Sequence, residues 1–190
     1  MITSANRYLT EKEMQGNAEF ITSYFRVLGW SYNAIAAMLG NMESESTINP
    51  GIYESLDDTS TSNGFGLVQW TPNTKYKTWA DDNGYGSDYG SIVGQVHRIK
   101  YELENGLQWI PTDSFPLSFS EFSKSTASPE YLANAFLYNY ERPRSLVQPN
   151  RATQARKWYE YIITAFNIPV GDTRKRSLSK LLLYSSILRR

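Results

Sequence analysis

The sequence predicts a mainly α fold with some β character (α+β), a helical body carrying one small β-wing. Three observations predict it. Apolar residues return at helical spacing through most of the chain. Ser, Thr and Pro stand where helices should begin, and Gly or Pro where they should end. The helical period vanishes once, between residues 47 and 70, where turn chemistry takes over.

The first helix opens on Thr10 and Glu13, a capping-box pair, and carries Met14, Ala18, Ile21, Phe25 and Leu28 on one stripe until Gly29 stops it. Ser31 caps a second helix with Ile35, Met38, Leu39 and Met42. It is apolar on most sides, as a buried central helix should be, and it runs into Glu43-Ser44-Glu45-Ser46. Asn49-Pro50-Gly51 and Ser62-Asn63-Gly64 are turn sequences, and Phe65-Gly66-Leu67-Val68-Gln69-Trp70 reads as a strand, so residues 47–70 are expected to form the wing. A helix is expected from Thr71-Pro72 with Tyr76, Trp79 and Ala80 on one face, and another from about Ser87 with Ile92, Val96, Ile99 and Leu103, ending at Gly106. Ser118 with Glu121 marks a short capped helix. Ser128-Pro129-Glu130 opens a further one with Leu132, Ala135 and Phe136, stopped by Pro143. The last runs from about Asn150 to Phe166 with Ala155, Trp158, Tyr159, Ile162 and Phe166 inward.

The chain has 190 residues, a length that suits one domain with a sizeable core. Nineteen acidic side chains balance 19 basic ones, so electrostatics gives no reason to expect a nucleic-acid partner. With no cysteine, disulfide scaffolds, thiolate zinc sites and cysteine nucleophiles are excluded. With His97 as the single histidine, a multi-histidine metal centre is excluded as well; His97 is expected to be an ordinary surface or core residue, and no cofactor or metal is expected. Residues 1–15 lack the apolar stretch of a secretory signal, and no run is long enough to span a bilayer. Residues 1–168 are therefore expected to form the domain. Residues 169–190 are expected to be a basic tail or linker remnant with no second domain, since residues 171–190 hold six basic side chains and Asp172 alone as an acid.

The strongest local chemistry is at the end of the second helix. A carboxyl at the mouth of an apolar helix is poorly solvated, which raises its pKa and lets it hold a proton to donate. Helical geometry alone does not choose between Glu43, near Leu39 and Ala36, and Glu45, in the column of Met38 and Ala34.

Three segments occur in order: Asn41-Met42-Glu43-Ser44-Glu45-Ser46-Thr47-Ile48-Asn49-Pro50, then Gly64-Phe65-Gly66-Leu67-Val68-Gln69-Trp70-Thr71, then Ala135-Phe136 to Tyr140-Glu141-Arg142-Pro143. In this order and at these spacings the chain resembles the phage tail lysozyme domain. The likeness is greatest to the tail-knob peptidoglycan hydrolases of short-tailed phages that infect Gram-positive bacteria, and it runs from about Tyr8 to Phe166. The resemblance implies a lysozyme-like fold that cleaves glycan strands between N-acetylmuramic acid and N-acetylglucosamine. Its partners would be peptidoglycan glycan strands and phage tail proteins, with no nucleic acid and no stable membrane insertion. Its place would be the virion, at the tail tip, after synthesis in the host cytoplasm without a signal peptide.

Residue by residue, the resemblance implies that Glu45 is the general acid, that Gln69 lines the sugar cleft, and that Tyr140 reaches the acid or the saccharide. Asp57 is the expected second carboxylate, ahead of Asp58 and Glu54, in the segment where this fold often places one. Trp70, next to Gln69, is expected to contact the sugar, whereas Trp79 and Trp109 fit core positions better. Goose-type lysozymes and lytic transglycosylases share a Glu-Ser signature, and some use no second acid; release of an anhydro sugar is therefore an alternative, as is a structural tail component without activity. The most similar members carry a second, zinc-peptidase domain, and the single histidine makes that activity unexpected in this chain.

Overall fold

The computed structural model describes residues 1–143 and 145–168; the predicted basic tail lies outside the described residues. The protein is mainly α-helical. Helices α1 (Glu11–Val27), α2 (Tyr32–Ser46), α3 (Thr74–Asp82), α4 (Ile92–Glu104), α5 (Phe119–Lys124), α6 (Pro129–Phe136) and α7 (Asn150–Ala165) follow in chain order, and a π-helical turn, Leu137–Glu141, continues α6. The contacts divide the chain into two compact units. One joins Met1–Asn17 to Met42–Trp109; the other joins Ala18–Asn41 to the chain from Ile110 onward.

Helix starts follow their caps. The Glu13 carboxylate takes the Thr10 N–H (2.9 Å) and pairs with Arg7 (2.6 Å); these contacts hold its pKa down at about 2, the Arg7 hydrogen bond contributing most. Ser118 and Glu121 form the complete capping box of α5, and Ser128 accepts the Tyr131 N–H above Pro129 at the head of α6. Two starts fall later than the sequence predicts. Helix α3 begins at Thr74; α4 begins at Ile92 under a Ser91 cap, because residues 87–90 are spent in turns. Leu28, expected on the α1 stripe, is 36% exposed beyond the helix end.

The predicted wing of strands is not present among the described residues. Residues 47–70 hold only isolated bridges, Tyr53 with Phe65 and Phe65 with Trp70. The reason is local. Positive φ at Thr47, Ile48, Ser55, Leu56, Gly66 and Gln69 turns the chain every few residues, so no ladder can extend. The six residues read as a strand instead close a tight turn, with Trp70 N–H on the Phe65 carbonyl (3.1 Å) and Gln69 N–H on the Gly66 carbonyl (3.1 Å). Gly66 is required there twice over: its φ is +79°, and a Cβ would stand 2.5 Å from Oε1 of Gln95.

In the first unit the core gathers Met42, Ile48, Phe65, Leu67, Tyr76, Val96 and Ile99, with the Trp70 and Tyr76 rings stacked at 4.9 Å. In the second unit Trp30 packs against Phe25, Phe119 and Phe122, and Phe136 stacks on Tyr140 at 4.5 Å. Helices α2 and α7 meet at Gly40, where a Cβ would lie 2.5 Å from the Ala155 nitrogen, so this crossing excludes any side chain at position 40.

Candidate active site

Glu45 lies on the last turn of α2 and is half-buried, as is Glu43, two residues earlier and about 200° round the helix axis. The helix stops one residue later, and the stop is well built. The Thr47 N–H bonds the Glu43 carbonyl (3.0 Å) and the Ile48 N–H reaches back to the Met42 carbonyl (3.2 Å), an end of the kind that usually needs glycine at positive φ. Here Thr47 (φ 54°) and Ile48 (φ 51°), both β-branched, take that conformation. The Ser46 hydroxyl, buried, lies 2.9 Å from the carbonyls of both Met42 and Leu67, so the end of α2 is tied to the turn that carries Gln69 and Trp70.

Gln69 is half-buried, with φ at 49°, and its amide donates to the carbonyls of Gly66 (3.0 Å) and Ile52 (3.3 Å). Its NH2 group thus braces the turn, and Gly64 is small because Gln69 Oε1 would stand 2.9 Å from a Cβ there. Trp70 is 4% exposed, and its indole N–H donates to Glu102 (2.9 Å), which also accepts from Arg98 Nε (2.9 Å). It sits in the core rather than on an open face. Trp109 is buried as well, and Trp79 is half-buried with its ring stacked near Tyr85.

Asp57 is half-buried, and both carboxylate oxygens are engaged. Oδ1 accepts the Thr59 N–H (3.0 Å) and the Thr59 hydroxyl (2.6 Å), and Oδ2 accepts from Asn63 (3.1 Å). The Thr59 hydrogen bonds, followed by the one from Asn63, hold its carboxyl below the usual carboxylate range, so it is an anion at neutral pH. Asp58 is exposed. Glu54 is exposed too and is used locally: its carboxylate accepts the Gly64 N–H at 2.8 Å while its own N–H donates to the Gly64 carbonyl at 2.9 Å. Glu45, Asp57, Gln69 and Trp70 all belong to the unit that contains Met42–Trp109.

Tyr140 belongs to the other unit. It is 1% exposed, on the π-helical turn, stacked on Phe136 and 5.9 Å from the ring of Phe119. The turn is pinned by buried Asn139, which accepts from Thr112 N–H (3.1 Å) and Thr112 Oγ1 (2.9 Å) and donates to the Phe115 carbonyl (2.8 Å). His97 is half-buried, with Nδ1 against the Tyr85 hydroxyl; burial pushes its pKa down, with Lys100 adding to the shift. Among the described residues no cluster of acidic or histidine side chains has the arrangement of a metal site, and no helix is long and apolar enough to cross a membrane.

One residue with a clear structural task has no motif to announce it. Gln95 is fully buried on α4: its Oε1 accepts the Leu67 N–H (2.8 Å), and its NH2 donates to the carbonyls of Pro50 (2.6 Å) and Tyr89 (3.0 Å). A glutamine between Ile92, Val96 and Ile99 on a core stripe was the available signal. Gln95→Leu keeps the volume and leaves three backbone groups without this partner. It is expected to cost about 3 kcal/mol in urea unfolding, and a loss below about 1 kcal/mol would show that the turn stands without it.

Comparison with known proteins agrees with the motif order. Over 160 residues, 84% of this chain, the sequence is 51% identical to Morphogenesis protein 1 of Bacillus phage B103, and the match spans 43% of that relative, less than half its length. Residues 16–162 match the phage tail lysozyme family, a range that takes in most of α1, the Glu45 helix end, the Gln69 turn and the Tyr140 turn. The chain belongs to the phage tail lysozyme family.

Proposed function

We propose that this chain is a peptidoglycan hydrolase that cleaves glycan strands between N-acetylmuramic acid and N-acetylglucosamine, as part of a phage tail during penetration of the host wall. Residues 1–168 form the lysozyme-like glycosidase domain in this reading. The observation that carries it is the placement of Glu45: half-buried, on the last turn of a core helix, and followed at once by a turn whose strained backbone is held on several sides. A carboxylic acid so placed protonates the glycosidic oxygen as the leaving group departs. Asp57, anionic and oriented by Thr59 and Asn63, supplies the negative charge that supports the oxocarbenium-like transition state. Gln69 borders the sugar through the exposed part of its side chain, and buried Trp70 fixes the shape of the turn that carries it; Tyr140, buried in the other unit, fixes the shape of its own turn.

A second reading, a lytic transglycosylase, draws support from Asp57 itself, since hydrogen bonds to Thr59 and Asn63 already occupy both of its oxygens. In that case the substrate's own hydroxyl attacks and Glu45 acts as acid and then as base. Mass spectrometry of digested Gram-positive cell wall tests both. Muropeptides ending in reducing muramic acid are expected; products lighter by one water, as anhydro-muramic acid, would transfer the assignment to the transglycosylase. No release of muropeptides by a folded protein would leave a structural tail component.

A further inference from the structure

Between Glu45 and Asp57 the backbone contains two pairs of consecutive residues at positive φ, none of them glycine: Thr47 and Ile48, then Ser55 and Leu56. Such pairs persist only where their surroundings hold them. Both pairs are bonded to the same stretch of chain, the irregular segment of residues 3–9 that precedes α1.

At the first pair, Asn49 is fully buried and its NH2 donates to the carbonyls of Ala5 (2.7 Å) and Arg7 (2.6 Å), while its Oδ1 accepts the Ala5 N–H (3.3 Å) and the Gly51 N–H (2.9 Å). The Leu9 N–H donates to the Thr47 hydroxyl (3.0 Å). Asn17 on α1, also fully buried, donates to the Ile48 carbonyl (2.8 Å) and exchanges two hydrogen bonds with Thr3, its NH2 on the Thr3 carbonyl (2.8 Å) and its Oδ1 under the Thr3 N–H (2.9 Å). At the second pair, Asn6 donates to the Leu56 carbonyl (3.0 Å) and accepts the Tyr53 N–H (3.1 Å), immediately ahead of Asp57. Gly51 lies so close under the segment that a Cβ would stand 2.6 Å from the Ala5 nitrogen. Arg7 is locked in turn onto Glu13.

We infer that residues 3–9 are a splint that sets the relative placement of the two carboxylates, with Asn6 and Asn49 as positioning residues. The inference rests on the reading of Glu45 and Asp57 given above. One segment is bonded to the turn after Glu45 and to the turn before Asp57, so a displacement of either turn must break hydrogen bonds to it. Displacements of about 1 Å in a catalytic group can cost on the order of 100-fold in rate, so the splint should be felt in turnover more than in substrate affinity.

The test uses the full chain and solubilised glycan strands, well below the melting temperature. Asn6 is exposed, so Asn6→Ala should fold with a nearly unchanged melting temperature. Its kcat is expected to fall about tenfold or more with KM within about twofold, and Asn6→Asp, which keeps the acceptor for the Tyr53 N–H, should recover part of the loss. Asn49→Ala should lose more turnover if it folds; if it does not, the Asn6 pair decides. Wild-type kcat in folded Asn6→Ala overturns the splint. Glu45→Gln is run beside them: if it is inactive while Asn6→Ala and Asn49→Ala turn over normally, the splint is wrong and the acid assignment stands, whereas if it is active the acid assignment falls and the splint falls with it.

Discussion

Glu45→Gln is expected to reduce wall lysis by roughly 100- to 10,000-fold, the range in which general acid catalysis contributes. The amide preserves size and polarity but has no proton to give the leaving oxygen. The stop of α2 is made by backbone groups of residues 42, 43, 47 and 48 and by the Ser46 hydroxyl, so the substitution leaves that stop in place. The melting temperature should therefore stay close to that of the parent, and the loss would lie in kcat. Glu43→Gln is the matched control, two residues earlier on the same helix end and pointing about 200° away, and it should retain most activity. Equal losses in the two variants would mean that the helix end acts through its charge as a whole, and parental lysis by a folded Glu45→Gln would remove the acid from this position.

The second large effect is expected at Asp57. In the hydrolase reading, Asp57→Asn should lose on the order of 100-fold in turnover on glycan strands, in line with the removal of a transition-state charge partner, while Asp58→Asn, exposed next door, should change little. Asparagine keeps an oxygen for Thr59 but cannot accept on both sides as the carboxylate does, so part of the effect would be on the loop. Thr59→Val separates the two causes: it removes the hydroxyl at 2.6 Å and leaves the charge. If Asp57→Asn and Thr59→Val lose activity equally, Asp57 is a loop brace. If Asp57→Asn loses far more, it is the second carboxylate. Full activity in Asp57→Asn together with anhydro products would establish the transglycosylase.

What the sequence disclosed and what it hid divide along a physical line. Helices announce themselves within a turn or two, through caps such as Ser118 with Glu121 or Ser128 before Pro129, and through stripes such as Ile92, Val96 and Ile99. Glu45 was legible because a helix end and an ordered set of motifs coincide there. Residues 65–70 were not: alternating size and β-propensity suggested a strand, but the conformation is decided by Gln95, whose carbonyl receives Leu67 from 28 positions along the chain. The asparagines at positions 6 and 49 were hidden for the same reason, since an asparagine in a polar or turn-rich stretch looks like any turn residue until its partners are known. Trp70 beside Gln69 looked like a sugar platform, and the indole N–H turned out to be committed to a buried carboxylate on α4.

The π-helical turn at Leu137–Glu141 has a bearing on how this lineage can change length. A π turn holds one residue more than an α turn would, closed here by the Arg142 N–H on the Leu137 carbonyl at 2.8 Å. Deleting a single codon in that stretch would close it as an ordinary α turn and rotate the side chains left inside it by about 100° against α6. Tyr140 would leave its place on Phe136, and Asn139 would let go of the 110–115 loop. Single-residue gaps should therefore be purged from this short window among descendants of the protein, while the exposed connection at residues 145–147 is free to drift in length.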